Sequence, residues 1–511
     1  MLLAFRTDAS RAIGTGHVSR CLALADLARQ AGDQSLFICR AHDGHLIASI
    51  RDAGYPVRVL EVTGGDDGDL AHSAWLGASQ AEDAAATIQA LDGARPDWLV
   101  IDHYGLDARW QRALRPHAQR LLAIDDLADR QHDIDLLVDQ NFFLAMAQRY
   151  DGLLPRSCLQ LLGPRHALLR PAFAQARQAL PPRQAGVKRL VIFFGGVDAG
   201  GHSALALQAL ARLRLGDDCD IDLVLGPLNA ARAAVLAEAE AMALPRLRVH
   251  ADGADMAALL AQADLAVGAC GVSQWERACL GAPSIVLAVA DNQRPIVADL
   301  AAAGYCWGVS HGEDVGAEDL AALIRTALLC DEARQAMAAR GRCLVDGEGA
   351  RRVLAAMRAA AMELRPVGEA DGARLFQWRN DPATRRHALN PAPLDQAAHH
   401  AWLDAALADP QRLLWMGVLD RAAIGVLRFD LDGDAALVSI YLDPARHGQG
   451  LGRALLRAGL ARLARTHPHI RLLEADVLDA NGPSREIFEA VGFQLHQRRY
   501  RFSLNPEEPS S

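Results

Sequence analysis

The 511-residue sequence carries a single lysine, Lys188, although lysine and arginine together number 53. A P-loop needs a lysine after its glycines, and a Schiff-base enzyme needs one in a pocket. Lys188 lies in "PPRQAGVKRL", which reads as a linker running into a strand, so neither chemistry is expected. CxxC pairs are also absent. The nine cysteines (21, 39, 158, 219, 270, 279, 306, 330 and 343) are scattered, which predicts reduced core thiols with no zinc site and no disulfide framework. No run of ~18 apolar residues occurs, so no transmembrane helix is expected. The opening "MLLAFRTDAS" has no basic segment ahead of its short apolar run, which predicts no signal peptide and a cytoplasmic protein. No basic stretch interleaves with aromatics, and the formal net charge is -9. Nucleic acid and anionic membrane are therefore not expected as partners.

What is present is globular: 51% hydrophobic residues beside 23% charged ones. The length implies roughly two or three domains. From residue 1 to 330, short apolar runs alternate with alanine-rich helical segments. "DWLVIDHY" (97–104), "RLLAIDD" (120–126), "DIDLLVDQN" (133–141), "RLVIFFGG" (189–196), "DIDLVLG" (220–226), "ADLAVGAC" (263–270) and "APSIVLAV" (282–289) read as strands. Continuous apolar strands separated by helices imply parallel sheets covered on both faces. The segment 153–173, followed by "LPPRQAGV" (180–187), breaks the run and marks a junction. Two doubly wound halves, 1–165 and 166–360, are expected to meet across a central cleft, with ligands at the carboxyl ends of their strands. Beyond "DGEGARRVLAAMRAAAMEL" (346–364) the pattern becomes an antiparallel meander, 413–444, with "DGD" at a turn. A helix and the strand "RLLEADVLD" (471–479) follow, so residues 361–511 read as a separate α+β domain with a disordered tail, "NPEEPSS".

"AIGTGHVSRCLALADLA" (12–28) places two glycines and a histidine before an apolar helix. Gly14 and Gly16 allow positive φ and close backbone approach. His17 then falls at a helix N-terminus, a place that favours anions and a neutral imidazole able to act as a base. Alone, a histidine in a turn is more often structural or solvated, and "GTGHVS" lacks the dinucleotide GxGxxG spacing. Taken with "VIDHYGLD", "IDDLADRQHDIDLLVDQN", "LLRPAF", "FFGGVD", "CGVSQWERACLGAPSIVLAVADNQ" and "VDGEG", in that order, residues 1 to 355 resemble the UDP-sugar hydrolases of pseudaminic acid biosynthesis. Those enzymes release UDP from UDP-2,4-diacetamido-2,4,6-trideoxy-β-L-altropyranose and are related to GT-B glycosyltransferases.

The resemblance implies that His17 is the general base activating water, and that Tyr104 and Asn292 line the reaction centre. It implies no metal requirement. UDP would be held by Gly14, Gly16, Gly195, Gly196, Gly271, Ser273, Glu276 and Gln293. For Glu276 two readings stand: Ser273-x-x-Glu276 fits a capping box, while a GT-B donor site places a glutamate there on the ribose hydroxyls, with diphosphate at the helix N-terminus. Gly195 and Gly196 equally suit a plain turn. Asp125 and Asp126 read as structural, and Arg6 and Asp8 as a brace for the His17 loop.

"SIYLDPARHGQGLGRALLRAGLARLA" (439–464) is a strand, a glycine-rich loop and an amphipathic helix. Successive backbone N–H groups and a helix N-terminus make a pyrophosphate cradle. With "ADVLDANGPSREIFEAVGF" (475–493) and the upstream "LFQWRNDPATRRHALNPAPLDQAAHHAWL" (375–403), the segment resembles the GCN5-related N-acetyltransferases. That likeness implies acetyl-CoA as co-substrate, bound by Leu442, His447, Gly448, Gln449, Gly450, Leu451, Gly452 and Asn481. His447 replaces the usual Arg or Gln. Phe488 stands where a tyrosine commonly protonates the departing thiolate, leaving water or Tyr500 for that step. Asp476 suits a base for the substrate amine or a solvated strand carboxylate, and Asn481 suits a CoA contact or a local Asn-Gly turn. The combined expectation is a bifunctional enzyme acting on UDP-amino sugars. The alternatives are a GT-B glycosyltransferase fused to an acetyltransferase of another amine, or a UDP-sugar-binding regulatory protein.

Overall fold

The computed structural model describes residues 1–180, 185–213, 219–244, 246–251, 253–388, 391–419, 421–448 and 450–496. The tail "NPEEPSS", Gln449, Tyr500 and residues 181–184 of the expected linker lie outside the described residues. The chain divides into two compact units, Met1–Leu354 and Ala355–Ser511.

The first unit holds two parallel sheets. One contains β1 (Leu2–Thr7), β2 (Gln34–Arg40), β3 (Val57–Leu60), β4 (Trp98–Asp102), β5 (Leu121–Ile124), β6 (Leu136–Asp139) and β7 (Leu159–Leu162), in the order β3-β2-β1-β4-β5-β6-β7. The other contains β8 (Arg189–Phe193), β9 (Asp220–Val224), β10 (Leu247–His250), β11 (Leu265–Ala269), β12 (Ser284–Leu287) and β13 (Trp307–Val309), in the order β10-β9-β8-β11-β12-β13. Both are doubly wound, Rossmann-type sheets, and each reverses strand order beside its first strand. Ligands lodge at that reversal, outside the carboxyl ends of the strands. Every residue of β4, β5, β6, β11 and β12 is buried, which is why these strands read as unbroken apolar runs.

The stretch 153–173, expected to break the strand pattern, contains β7, which pairs with β6 from Leu136↔Leu159 to Asp139↔Leu162. Its two outer residues, Leu159 and Gln160, are exposed, as suits an edge strand, and that exposure removes the continuous apolar signal.

Among its described residues, the second unit holds a five-stranded sheet of β14 (Glu363–Pro366), β15 (Arg412–Leu419), β16 (Ala422–Asp432), β17 (Ala435–Leu442) and β18 (Leu472–Glu474), in sequence order. β14 to β17 pair antiparallel and β18 joins β17 in parallel. Alternate residues separate two cores. Trp415, Leu427, Phe429 and Val438 pack with Leu451, Leu455 and Leu456 of the helix Leu451–Thr466. Leu414, Met416 and Val426 pack with Leu375 and Trp378 of the helix Gly372–Asn380 and Leu403 of the helix Gln396–Ala408. The expected strand 471–479 is only three residues long, because β18 pairs with β17 solely over Ala435–Leu437. Among the described residues, no helix is long and apolar enough to cross a membrane.

Candidate active sites

The carboxyl ends of β1, β4, β5 and β6 deliver one polar cluster. After β1, a tight loop closes through Gly14 N–H donating to the Ser10 carbonyl at 2.9 Å, while the Ser10 hydroxyl accepts from Ala12 and Ile13. Gly14 sits at φ +85°, a region where side chains are strained. Gly16 does not need such freedom: it is the first residue of the helix Gly16–Gln30, and a Cβ there would meet only Val272 at ordinary contact distance. The expectation that both glycines use positive φ is thus corrected to Gly14 alone.

His17 is the second residue of that helix and is 6% exposed. Its Nδ1 lies 2.5 Å from Oδ1 of Asp102, the last residue of β4. Arg20, one turn on, grips the same carboxylate with Nε at 2.7 Å and Nη2 at 2.6 Å. Burial alone would push Asp102 up, but Arg20 and His17 hold it well below the usual carboxylate range. An ionised carboxylate only accepts, so Nδ1 carries the hydrogen, and in the neutral ring the lone pair then lies on Nε2.

Arg20 Nη1 also donates to Asp126 at 3.0 Å, as does Asn141 Nδ2 at 3.0 Å, and the Tyr104 hydroxyl donates to the other Asp126 oxygen. The Tyr104 ring stands edge-on to His17 at 4.6 Å. Asp126, expected to be structural, is therefore the carboxylate that fixes Tyr104. Asp125 does serve the fold, pairing with Arg130 and accepting from Tyr150. Arg6 and Asp8 do not brace the His17 loop. Arg6 pairs with Asp83 at 2.6 Å, and Asp8 accepts from the Arg40 N–H, which ties β1 to β2 and the helix Gln80–Leu91.

Sequence reasoning missed Asp102, Arg20 and Asn141. The i, i+3 spacing of His17 and Arg20, and an aspartate ending a buried strand two residues before Tyr104, were the available signals. It also missed His72 and Trp75, whose rings lie 5.5 and 5.8 Å from Tyr104. Burial lowers the His72 pKa, keeping that ring neutral.

The second half presents its own strand ends to this cluster. Gly195 and Gly196 follow β8, and Gly195 sits at φ +95° with open space where a Cβ would stand. At Gly196 a Cβ would collide with the Thr15 side chain, so its bareness lets the two halves close at the loop before His17. After β11 comes the helix Val272–Cys279, with Gly271 as its N-cap in extended conformation. The expected capping box is not formed. The helix begins at Val272, which makes Ser273 its second residue, and the Ser273 hydroxyl instead accepts from Arg277 Nη1 at 3.3 Å. The carboxylate of Glu276, partly buried, has no hydrogen bond from the described residues, and burial raises its pKa against the opposing charges of Arg170 and Arg277. Gln293 is spent locally, its Oε1 accepting from the Val289 N–H at 3.0 Å. Asn292, partly buried in the turn Asp291–Gln293, has no hydrogen bond to the His17 cluster. Among the described residues, no group of three His, Cys, Asp or Glu side chains could hold a metal.

In the second unit, β17 and β18 part company after Leu437↔Glu474, which leaves Val438–Leu442 without a paired strand on that side among the described residues. Leu442 ends β17, and His447 and Gly448 are exposed in the loop that follows. Gly448 and Gly450 sit at φ +76° and +73°, and Gly450 is the N-cap of the helix Leu451–Thr466. A Cβ at Gly452 would strike Ile487, so this glycine serves helix packing as well. Asn481 is the N-cap of the helix Gly482–Glu489, its Oδ1 accepting from Ser484 N–H at 3.2 Å. Asp476 is exposed beyond the end of β18. Phe488 is 6% exposed and packs edge-on against Phe493 at 5.0 Å, a core position with no proton to offer.

Residues 362–494 match the acetyltransferase (GNAT) domain family. A Methanocaldococcus jannaschii protein described only as uncharacterized is 22% identical over 97% of both chains. The UDP-2,4-diacetamido-2,4,6-trideoxy-beta-L-altropyranose hydrolase of Campylobacter jejuni is 31% identical over 34% of this chain and 54% of its own length. The match thus spans about half of that hydrolase. Among solved structures, MurG of Acinetobacter baumannii aligns over 70% of this chain and 98% of its own, with 17% identity and a TM-score of 0.48. The chain therefore joins an N-terminal part similar in sequence to a UDP-sugar hydrolase to a GNAT acetyltransferase domain at residues 362–494.

Proposed function

We propose that the protein is a bifunctional enzyme of pseudaminic acid biosynthesis. The C-terminal domain, 361–511, would use acetyl-CoA to acetylate the 4-amino group of a UDP-4-amino-4,6-dideoxy sugar. The N-terminal halves, 1–165 and 166–360, would then hydrolyse UDP-2,4-diacetamido-2,4,6-trideoxy-β-L-altropyranose to the free sugar and UDP. The observation that carries the hydrolase reading is the His17–Asp102 bond, which commits Nδ1 and leaves Nε2 as a base. Water loses its proton to Nε2 as its oxygen bonds the anomeric carbon. The bond from that carbon to the phosphate oxygen breaks, and its electron pair leaves with UDP. Tyr104, fixed by Asp126, lines the same centre. The N–H groups of Gly271 and Ser273 at the start of the helix Val272–Cys279, with the open backbone at Gly195, receive the diphosphate. Placing one water and one leaving group accounts for the catalysis without a metal.

For acetyl transfer, the sugar amine attacks the thioester carbonyl, the C–S bond breaks and CoA leaves as thiolate. Asp476 takes the amine proton, and water or Tyr500 protonates the sulfur. The loop Gly448–Gly452 cradles the CoA pyrophosphate.

Incubating the protein with UDP-4-amino sugars and acetyl-CoA, with products read by mass spectrometry, tests the whole scheme. His17→Asn and Asp102→Asn should each cut kcat for UDP release by at least ~100-fold, the range of a removed general base. KM, UDP affinity and acetyl transfer should hardly change. Near-normal UDP release in His17→Asn would remove the mechanism.

A further inference from the structure

The second unit contains a cavity of about 600 Å³ walled by the helix Gly372–Asn380, the hairpin between β15 and β16, and the segment after β17. Three guanidinium groups line it, those of Arg374, Arg421 and Arg446, together with Gln377, Trp378 and Asp443. Among the described residues, none of the three arginine side chains has a hydrogen-bonded carboxylate. Arg374 comes no closer than 3.9 Å to Asp371, whose two oxygens are already held by Arg365 at 2.7 Å. The one carboxylate in the cavity wall, Asp443, is occupied in accepting from the Ala445 N–H at 3.0 Å. A cavity this size with three guanidinium forks, none hydrogen-bonded to a carboxylate among the described residues, suits a phosphorylated nucleoside, since guanidinium binds phosphate oxygens in pairs.

Its position separates it from the glycine loop. The helix that follows the loop packs against Leu427, Phe429 and Val438, whereas Trp378 in the cavity wall packs against Leu414, Met416 and Val426 on the opposite face of the sheet. Of the residues lining it, Asp443 and Arg446 alone belong to the chain entering the glycine loop.

We propose that this cavity binds the nucleoside diphosphate portion of the acetyl acceptor, so that an amine-bearing sugar nucleotide and acetyl-CoA approach from opposite faces of the sheet. The proposal rests on the acceptor named above, and its test separates the two. UDP is titrated calorimetrically into the intact protein, without CoA and with saturating CoA, for the wild type and for the double variant Arg374→Gln, Arg421→Asn. Both arginines are exposed, and asparagine tolerates the φ of +63° at Arg421, so the fold should persist with an unchanged melting temperature. Two UDP sites per chain are expected in the wild type and one in the variant. In turnover, KM for the nucleotide-linked amine should rise about tenfold or more in the variant, with KM for acetyl-CoA unchanged. A second UDP site that saturating CoA eliminates would overturn the proposal in favour of the phosphates of CoA. A wild-type stoichiometry of one, or two sites both indifferent to the variant, would also overturn it. Loss of one site in the variant, without acetylation of any UDP-amino sugar, would uphold the cavity as a nucleotide site and refute the acceptor reading alone.

Discussion

Glu276 lies three residues after Ser273, a spacing shared by a capping box and by a carboxylate held ready for a ligand. The choice depends on where the helix starts. Gly271, extended and without a side chain, takes the N-cap, so Ser273 falls inside the first turn and turns to Arg277. Among the described residues, the Glu276 carboxylate is left without a hydrogen-bond partner, in a setting that disfavours its charge. Glu276→Gln should therefore weaken UDP binding about tenfold or more, the scale of a lost charge-assisted hydrogen bond. The melting temperature should stay the same or rise. Calorimetric UDP titration beside thermal unfolding checks this, and a drop in stability with intact affinity would refute the ribose role. Ser79 and Glu82 have the same spacing and do form the box, both bonds being present. Sequence spacing announces the pattern; the preceding residue decides whether it forms.

At the scale of elements, the end of β6 shows how a strand terminus can be tuned. Asp139 is fully buried, and burial together with the nearby negative charge of Asp126 pushes its pKa up to about 7, although Arg149 approaches to 3.2 Å. An acid whose pKa is higher folded than unfolded binds an extra proton in the folded state between those two values. Stability is lost as pH rises from about 4 to about 7 and is not regained above that. Asp139→Asn cannot ionise and keeps an oxygen for the Asn141 N–H, now 2.9 Å from Asp139. The variant should melt above the wild type at pH 8, with the gap closing as pH falls toward 4. A gap independent of pH would mean that Asp139 is ionised in the fold. The two glycine loops follow a similar logic, with Gly14 and Gly450 at positive φ immediately before helices.

For the whole molecule, the sheets keep their residues to themselves: among the described residues, thirteen strands form two sheets before residue 310 and five form a third after residue 362. Units built this way fold alone. A fragment of residues 1–360 should hydrolyse the diacetamido UDP-sugar yet leave the 4-amino precursor uncut. A fragment of residues 361–511 should bind acetyl-CoA, and Gly450→Val should abolish that binding, because valine is strained at φ +73° and blocks backbone approach. Equilibrium dialysis with labelled acetyl-CoA and UDP-release assays check both. A C-terminal fragment that folds but ignores CoA would refute the cofactor assignment.

The sequence alone determined the periodicities. Buried parallel strands must be apolar on both faces, so β4, β5, β6, β8, β11 and β12 were legible as apolar runs, β9 as a run interrupted by Asp222, and β15 to β17 as a meander. Glycine positions before two helices were legible too, because only glycine enters left-handed backbone cheaply. The edge strand β7 was not, since half its residues face solvent. Tertiary structure alone decided the partners: His17 and Asp102 are 85 residues apart, and Tyr104 and Asp126 are 22 apart. Such pairs meet only because β1 and β4 lie side by side where strand order reverses, with β5 next in line. A carboxylate ending a strand looks the same in sequence whether it braces the sheet, as Asp125 does, or holds a tyrosine in the site, as its neighbour Asp126 does. The two differ only in which loops fold over them, and that is set by packing across the whole sheet.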